Sequence, residues 1–556
     1  MMVRCDVADR PLRRRAAVPP TEPPDPAPDS HPVPLAERAP RAATGVLVVL
    51  LAAAAVAYAV QGRAQWFFQD EWAFLTSRDA TSLDGLFDPH NEHWVTAPVV
   101  AYRILWNVVG VRRYEPYQAL AIALHLVVVG LVHLLLRRRL GIAPWVAVAA
   151  TTLVLFTGAG AENVVWAFQI SFTGSIAAGL AALLLTDHPR PGPARRLAAL
   201  GCGVFSLMCS GVGLVMVGVL GLALLARRGL RAAAVATVPL AVVYVAWHEA
   251  FASGSSNPSG DFGLIVEFIG TGLAHAVDGV GPATWAAYAI VALTLVGVTL
   301  VVWQGRDSFA TLRHRLGIPL AMVAGAVAFF ALTGSTRAVT QGVAFATRGR
   351  YAYVALVLLV PVAALAADAV VRRWPPVTLP VLVLLVAGIP ANVAAIEVRS
   401  SQDVPPSLVT AVASSPALAE ADPDHLPFVG PPGFRTITAG WLRQHVADGK
   451  IPTSATISRD IEAEALARLT LEVGAPWAGE VQCHELPPGG EETTITEDEP
   501  VAYVGNVRVQ AVTPRGGRSR PRPASALQPR TIATTGGPVA VVVVPMPGVW
   551  NASLCR

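Results

Sequence analysis

Charge is the scarcest thing in this chain. Of its 556 residues only 14% are Asp, Glu, Lys or Arg, against roughly 25% in ordinary soluble domains. Lysine is almost missing: Lys450 stands alone beside the arginines. The 42 basic and 38 acidic residues leave a formal charge of +4, too slight to argue for a nucleic-acid partner. Five cysteines among 556 residues exclude a disulfide-rich scaffold, and no Cys/His spacing resembles a zinc site. There is no internal repeat, no P-loop and no GxGxxG followed by an acidic residue, so nucleotide chemistry has no visible seat. Collagen, coiled coil and wholly disordered chain fail on composition.

What is present is apolar sequence, at 53% of residues and a mean hydropathy of +0.50. A soluble protein of this size could not hide so much apolar surface, so the expected class is a polytopic α-helical membrane protein. The first apolar run is Ala43–Val60. It follows a Pro-rich, arginine-dotted segment (residues 1–42) that lacks hydrophobic periodicity and is expected to be disordered. The long charged lead-in argues for an uncleaved span rather than a signal peptide. Ten further candidate spans are Tyr117–Leu136, Ile142–Thr157, Gln169–Leu185, Leu197–Ser210, Gly211–Ala226, Ala232–Phe251, Ala283–Trp303, Ile318–Thr333, Tyr351–Val371 and Val377–Ile396. That makes about eleven crossings at roughly 20 residues each. Leu197–Ser210 and Gly211–Ala226 are short, and a paired or broken hairpin fits them best.

The arginines give the orientation. Arg137-Arg138-Arg139, Arg195-Arg196, Arg227-Arg228-Arg231, Arg306/Arg313/Arg315 and Arg372-Arg373 fall on alternate connections. The positive-inside rule places those connections, and the N-terminus, in the cytoplasm. An odd number of spans then puts residues 397–556 outside. Residues 43–396 form the expected transmembrane domain, with an outer loop at 61–116 whose amphipathic stretch Val95–Val109 lies in the interface. Ala252–Pro282, interrupted by Glu267, His275 and Asp278, reads as interfacial or re-entrant.

The tail is long enough for a small mixed α/β domain. Ala439–Asp448 and Arg459–Leu471 read as helices, Val501–Val512 and Val539–Val544 as strands, and Pro514–Arg530 as a loop. Cys483 and Cys555 both fall in this outer region and are a candidate disulfide. Cys202 and Cys209, in an apolar hairpin, read as packing residues.

A carboxylate at mid-bilayer costs roughly 2.5–3.5 kcal/mol, so the positions of the acids carry information. They gather just past the outer ends of spans. Asp70-Glu71-Trp72 opens the outer loop, which runs through Asp79, Asp84 and Asp88 to His90-Asn91-Glu92-His93-Trp94. Glu162 lies on a second outer connection. Arg337, Arg348 and Arg350, followed by Tyr351 and Tyr353, lie on a third. Acids on two loops and arginines on another, at one depth, suggest a single polar site at the membrane surface. The plainer readings are an aromatic belt for Trp66–Trp72, caps and turns for Asp79, Asp84 and Asp88, a solvated loop acid for Glu162, and headgroup contacts for the arginines. His125 and His133, at helical spacing within a span, read as helix-contact residues.

The order of one span, an outer loop opening on Asp70-Glu71-Trp72, an interfacial stretch and about eleven spans resembles the GT-C membrane glycosyltransferases. With Asn91-Glu92-His93 and Arg350-Tyr351-Ala352-Tyr353 it is similar to uncharacterised actinobacterial members of that superfamily. The likeness covers residues 43–396. It implies transfer of a sugar from a polyprenyl phosphate to an acceptor hydroxyl on a glycan, lipid or protein, at the outer face of the cytoplasmic membrane. Asp70 matches the position of the family's catalytic acid, with Glu71 beside it; the departing phosphate needs fixed positive charge, which Arg348 and Arg350, then Arg337, can supply, with Tyr351 next to them. The family's acceptor-site residues have no recognisable match here; His90, Glu92 and His93, by their nearness to Asp70, and Glu162 are the acceptor-side candidates. A divalent metal (Mg or Mn) on Asp70, Glu71 or Glu162 is left open. Two rival readings are a transporter or flippase of lipid-linked sugars, and a scaffold presenting the tail to cell-wall polymers. The first would place ionisable groups near the bilayer midplane, where His125 is the one clear example.

Overall fold

In the computed structural model, the described residues are 35–188, 192–252, 261–280, 284–396, 404–428, 436–535, 537–546 and 552–556. The expectation of disorder for 1–42 falls mostly outside them. The helices in chain order are α1 (Pro40–Gln61), α2 (Asp70–Thr76), α3 (Leu83–Phe87), α4 (Thr96–Val109), α5 (Glu115–Arg138), α6 (Pro144–Leu155) and α7 (Glu162–Val165). They continue as α8 (Ile170–Thr186), α9 (Pro193–Leu207), α10 (Val212–Arg228), α11 (Leu230–Trp247), α12 (Phe262–Asp278), α13 (Thr284–Gly305), α14 (Phe309–Gln341) and α15 (Gly349–Arg373). After α16 (Thr378–Val386) and α17 (Ile389–Ala394) come α18 (Pro406–Ser414), α19 (Ala417–Glu420), α20 (Ala439–Ala447) and α21 (Arg459–Thr470).

Every one of the eleven predicted spans is helical. Among the described residues eight helical runs are long and apolar enough to cross a membrane, from Pro40–Ala64 to Pro375–Ala394. The other three, α6, α9 and α10, have 12, 15 and 17 residues. Large apolar side chains point outward along the bundle, Val48, Val49 and Val56 on α1 and Val235, Val238 and Val242 on α11 among them. Water would not tolerate such a surface but lipid does. The chain is a polytopic α-helical membrane protein. The segment read as interfacial or re-entrant contains α12, which packs on α14 and α15. The two short spans form the expected hairpin, α9 and α10, turning through Cys209 and Ser210.

The α4 helix has two apolar faces. Val99, Tyr102 and Trp106 are buried, while Val100, Ile104 and Val108, four residues apart, are exposed in a stripe. That stripe is what a helix lying in a lipid interface presents. The tail then closes over the loop. Helices α18–α21 share one apolar core with α2, α4 and the start of α5, in which Trp72, Val99 and Tyr102 meet Leu408, Leu442 and Leu469. Gly110 ends α4 at φ +60°, and a Cβ there would sit 2.2 Å from the Lys450 carbonyl oxygen. That carbonyl accepts from the Val111 N–H at 3.0 Å, and only glycine allows the approach.

The end of the tail is a seven-stranded antiparallel sheet of β1 (Leu471–Pro476), β2 (Cys483–Glu485), β3 (Glu491–Ile495), β4 (Val501–Val512), β5 (Arg522–Thr534), β6 (Val539–Pro545) and β7 (Ser553–Cys555). Its main path runs β1-β5-β4-β6-β3, with β7 pairing both β2 and β4. The predicted strands are β4 and β6, and both predicted helices form. The loop reading of Pro514–Arg530 is corrected: its second half opens β5, which pairs with β4 over Arg522–Ala526 and with both β4 and β1 from Arg530 on. The prolines misled, because Pro523 is the second residue of the strand and Pro529 lies where the β4–β5 register shifts, positions where a missing N–H is tolerated. Cys483 and Cys555, the candidate pair, face each other across β2 and β7 and are disulfide-bonded.

Candidate active site

The polar cluster expected at one end of the bundle is assembled there from five separate stretches. Gln69 adopts φ +45°, a conformation that costs roughly 1–3 kcal/mol in a non-glycine residue. The kink starts α2 at Asp70. Consecutive helical side chains diverge by about 100°, so Asp70 and Glu71 look in different directions, and their environments differ accordingly.

Asp70 is one-third exposed and faces His90, whose Nε2 lies 3.5 Å from Oδ1. His90 and His93 flank a tight turn. Each N–H donates to the other's carbonyl at 3.0 Å, and the two central residues, Asn91 and Glu92, have φ of 47° and 69°. That turn puts the His90 imidazole beside Asp70 and both imidazoles in the wall of one cavity. Glu92 reaches Arg337 Nη2 at 3.2 Å, anchoring the turn to the end of α14. Burial, then the charge of Arg337, lowers His93 to about 4, so it is neutral at ordinary pH. Among the aspartates read as turn residues, Asp79 accepts from the Thr81 N–H at 2.8 Å, Asp84 lies in the first turn of α3 and Asp88 caps its end.

Glu71 is fully buried. Oε1 accepts from Tyr102 Oη at 2.6 Å and Tyr114 Oη at 2.9 Å. Oε2 accepts from Trp166 Nε1 at 2.9 Å and from the Phe68 N–H at 2.8 Å. Burial raises its carboxyl to about 7, against the lowering pull of those four donors. It does not line the cavity that Asp70 lines; it ties α2, α4 and the stretch after α7 into one body.

Asp70, His90 and His93 line a cavity of about 80 Å³ together with Trp166, Gln169 and Ser210, closed by Arg350 and Tyr351 at the start of α15. Two buried polar atoms in its wall, His90 Nε2 and Gln169 Oε1, have no hydrogen-bond partner. Arg350 Nη1 lies 2.9 Å from Glu162 Oε1, and its backbone N–H donates to Oε2 at 3.3 Å. The close approach of α15 to the α7 turn needs Gly349, where a Cβ would fall 2.5 Å from the Ala159 carbonyl oxygen. Beyond the ion pair a second cavity of about 400 Å³ is lined by Glu162, His275, Thr347, Gly349 and Asn392. An apolar crevice of about 190 Å³ between α12, α13 and α15 starts at Ala276, Val277 and Val280, next to His275 and Gly279 in the second cavity. Arg348 is exposed and stacks over Phe345 with its guanidinium carbon 4.8 Å from the ring centre.

Of the sequence-predicted residues, Asp70, His90, His93, Arg350 and Tyr351 thus share one cavity, and Glu162 stands behind Arg350. Glu92, Arg337 and Arg348 flank it, and Glu71 underlies it. Gln169, Ser210 and Asn392 were not predicted; each sits in an apolar run with no local signal. The carboxylates of Asp70, Glu71 and Glu162 offer no common vertex for a divalent ion, because four donors occupy Glu71 and Arg350 occupies Glu162. Among the described residues no group of three or more His, Cys, Asp or Glu is placed to hold one. His125 bonds to Tyr353 Oη at 2.9 Å and to the Leu155 carbonyl oxygen at 3.2 Å, the helix-contact role expected.

No protein-family model matches the chain, and neither does any curated protein. Among solved structures, ArnT from Cupriavidus metallidurans in the apo state is similar at 15% identity and a TM-score of 0.42, covering 78% of this chain and 93% of that one.

Proposed function

We propose that the chain is a GT-C-type membrane glycosyltransferase moving a sugar from a polyprenyl phosphate to an acceptor hydroxyl on a cell-envelope glycan, lipid or protein. The reading places Asp70 at the outer face of the cytoplasmic membrane, following the arginine pattern of the connections. The observation that carries it is that Asp70 and Arg350 line the same small cavity.

A sugar hydroxyl is a poor nucleophile, so a carboxylate must take its proton as the new bond forms. Asp70 fills that role: partly exposed, and beside His90. The leaving group is a phosphate, stable as an anion, so no second carboxyl has to protonate it. It needs fixed positive charge instead. Arg350, held by Glu162 in the wall between the two cavities, supplies a guanidinium suited to phosphate oxygens. Arg348 and Arg337 add positive charge at the rim, and Tyr351 forms part of the wall. The larger cavity and its adjoining apolar crevice suit a polar head with an attached hydrocarbon tail. The unpartnered Gln169 Oε1 suits a sugar hydroxyl, since a buried polar group without a partner is costly. Glu71 acts by positioning, and no step is routed through a metal.

The test is release of polyprenyl phosphate by the purified protein from a panel of polyprenyl-phosphate sugars, with envelope extract as acceptor source. Release by wild type and its loss in Asp70→Asn support the reading and name the sugar. Equal release from both removes Asp70 from catalysis.

A further inference from the structure

The opposite end of the bundle carries a second charged cluster that the proposed reaction does not use. Helices α5, α8 and α10 run from the Asp70 end to this one, and α14 starts here. Asp187, just past the end of α8, is buried with its side chain 4% exposed. Three arginines surround it. Arg227 Nε lies 3.2 Å from Oδ1, Arg228 Nε 3.6 Å from the same atom, and Arg139 Nε 4.0 Å from Oδ2.

These are not the solvated arginines that usually flank a span. The side chains of Arg227, Arg139 and Arg228 are 7%, 16% and 23% exposed. Their heads are fixed by carbonyls: Arg139 Nη2 donates to Leu184 at 2.6 Å, Arg227 Nη1 to His314 at 3.1 Å, and Arg228 Nη2 to His188. One carboxylate neutralises one of three guanidiniums, which leaves two positive charges in a half-desolvated setting. Some hydrogen-bonding capacity is also unspent, since Arg139 Nε and Asp187 Oδ2, 4.0 Å apart, are buried without hydrogen-bond partners. Burial depresses Arg139, and the like charges of Arg195, Arg228 and Arg138 add to this against the pull of Asp187. Charges gathered at such a cost call for an anion.

We propose that Arg139, Arg227 and Arg228, partly balanced by Asp187, form a binding site for a phosphate-bearing anion at the end of the bundle opposite Asp70. Guanidinium forks match phosphate oxygens, and the helix ends place the site where phospholipid headgroups lie. The chemistry is shared by an anionic phospholipid and by free phosphate. The inference stands on this cluster alone and does not depend on the reaction proposed for Asp70.

The full-length protein, purified and delipidated in detergent, is titrated with phosphatidylglycerol, with phosphatidylcholine of the same chains and with inorganic phosphate. Thermal shift and native mass spectrometry read binding. Phosphatidylglycerol is expected to bind and phosphatidylcholine not. Arg227→Gln with Arg228→Gln should weaken binding about tenfold or more. Arg228→Gln alone, at the most exposed of the three, keeps the test readable if the double variant does not fold. Asp187→Asn distinguishes a site from a closed ion network. A site gains affinity several-fold when its one negative charge goes, whereas a closed network only loses stability. Phosphate that reproduces the whole shift identifies a soluble ligand, and a requirement for phosphatidylglycerol identifies a lipid. Equal binding of both lipids by wild type with no response to phosphate overturns the proposal, as does unchanged affinity in Arg228→Gln and Asp187→Asn.

Discussion

Arg350 and Glu162 meet at 2.9 Å, Arg350 lining the smaller cavity and Glu162 the larger. Among the described residues Arg350 is the one arginine lining the Asp70 cavity. Removing a preorganised donor to a developing anion costs about 10²–10³ in rate. Arg350→Gln is therefore expected to lower kcat by that much, while Arg348→Gln, at the exposed rim, costs about tenfold or less. Glu162→Gln keeps the shape but leaves Arg350 without its counter-charge, so donor binding should tighten while turnover falls. Steady-state kinetics with separate kcat and KM values checks all three, and equal losses for Arg348→Gln and Arg350→Gln would refute the ordering.

Glu71 makes the stability depend on pH. Its carboxyl is raised from 4.5 to about 7 by burial, so the folded state holds its proton more tightly than the unfolded state does. The resulting stabilisation is fully present below about pH 4.5 and is lost as pH rises through about 7. Its upper bound is on the order of 3 kcal/mol. The melting temperature of wild type relative to Glu71→Gln should fall across that window and level off above it. Glu71→Ala leaves four donors unpaired and should destabilise at every pH by about 3 kcal/mol or more. A flat difference between wild type and Glu71→Gln would show that the carboxyl does not titrate there.

The same residue marks where sequence reading stops. The acidic pair after the first span was visible, and so was the convergence of Asp70, Glu162 and the α15 arginines, because charge is conspicuous in an apolar chain. That one acid of the pair turns inward was not, since its partners Tyr102, Tyr114 and Trp166 lie 31, 43 and 95 residues away. Strands β4 and β6 were legible from their β-branched runs, whereas β5 was hidden by prolines. Nothing local announced that α18–α21 would share a core with the loop, because each of these short helices has an unremarkable apolar face until it meets its partner.

Gly110 tests that docking. Gly110→Ala demands both a left-handed φ from alanine and space that the Lys450 carbonyl oxygen occupies. The seam also holds the Arg112 Nε bond to the Gly449 carbonyl oxygen at 2.8 Å and the Lys450 ammonium on the Asn107 carbonyl oxygen. The substitution is expected to loosen the tail from α4 and expose the segment around Lys450, the one lysine in the chain. A lysine-specific protease should then cut the variant much faster than wild type. Equal cutting would mean that the shared apolar core alone holds the tail.

The disulfide carries a prediction about which side of the membrane the tail occupies. Cys483 and Cys555 are 72 residues apart, and closing a loop of that length stabilises by about 4 kcal/mol in the chain-entropy model. Cys483→Ser with Cys555→Ser should lower the melting of the tail by that order while Cys202 and Cys209, free and within the bundle, are unaffected. Such a bond persists only in an oxidising compartment. Thiol alkylation during lysis of intact cells, followed by a mass shift on reduction, is therefore expected to find Cys483 and Cys555 fully oxidised. Reduced thiols at both positions would put the tail, and with it the Asp70 cavity, on the cytoplasmic side and reverse the orientation drawn from the arginines.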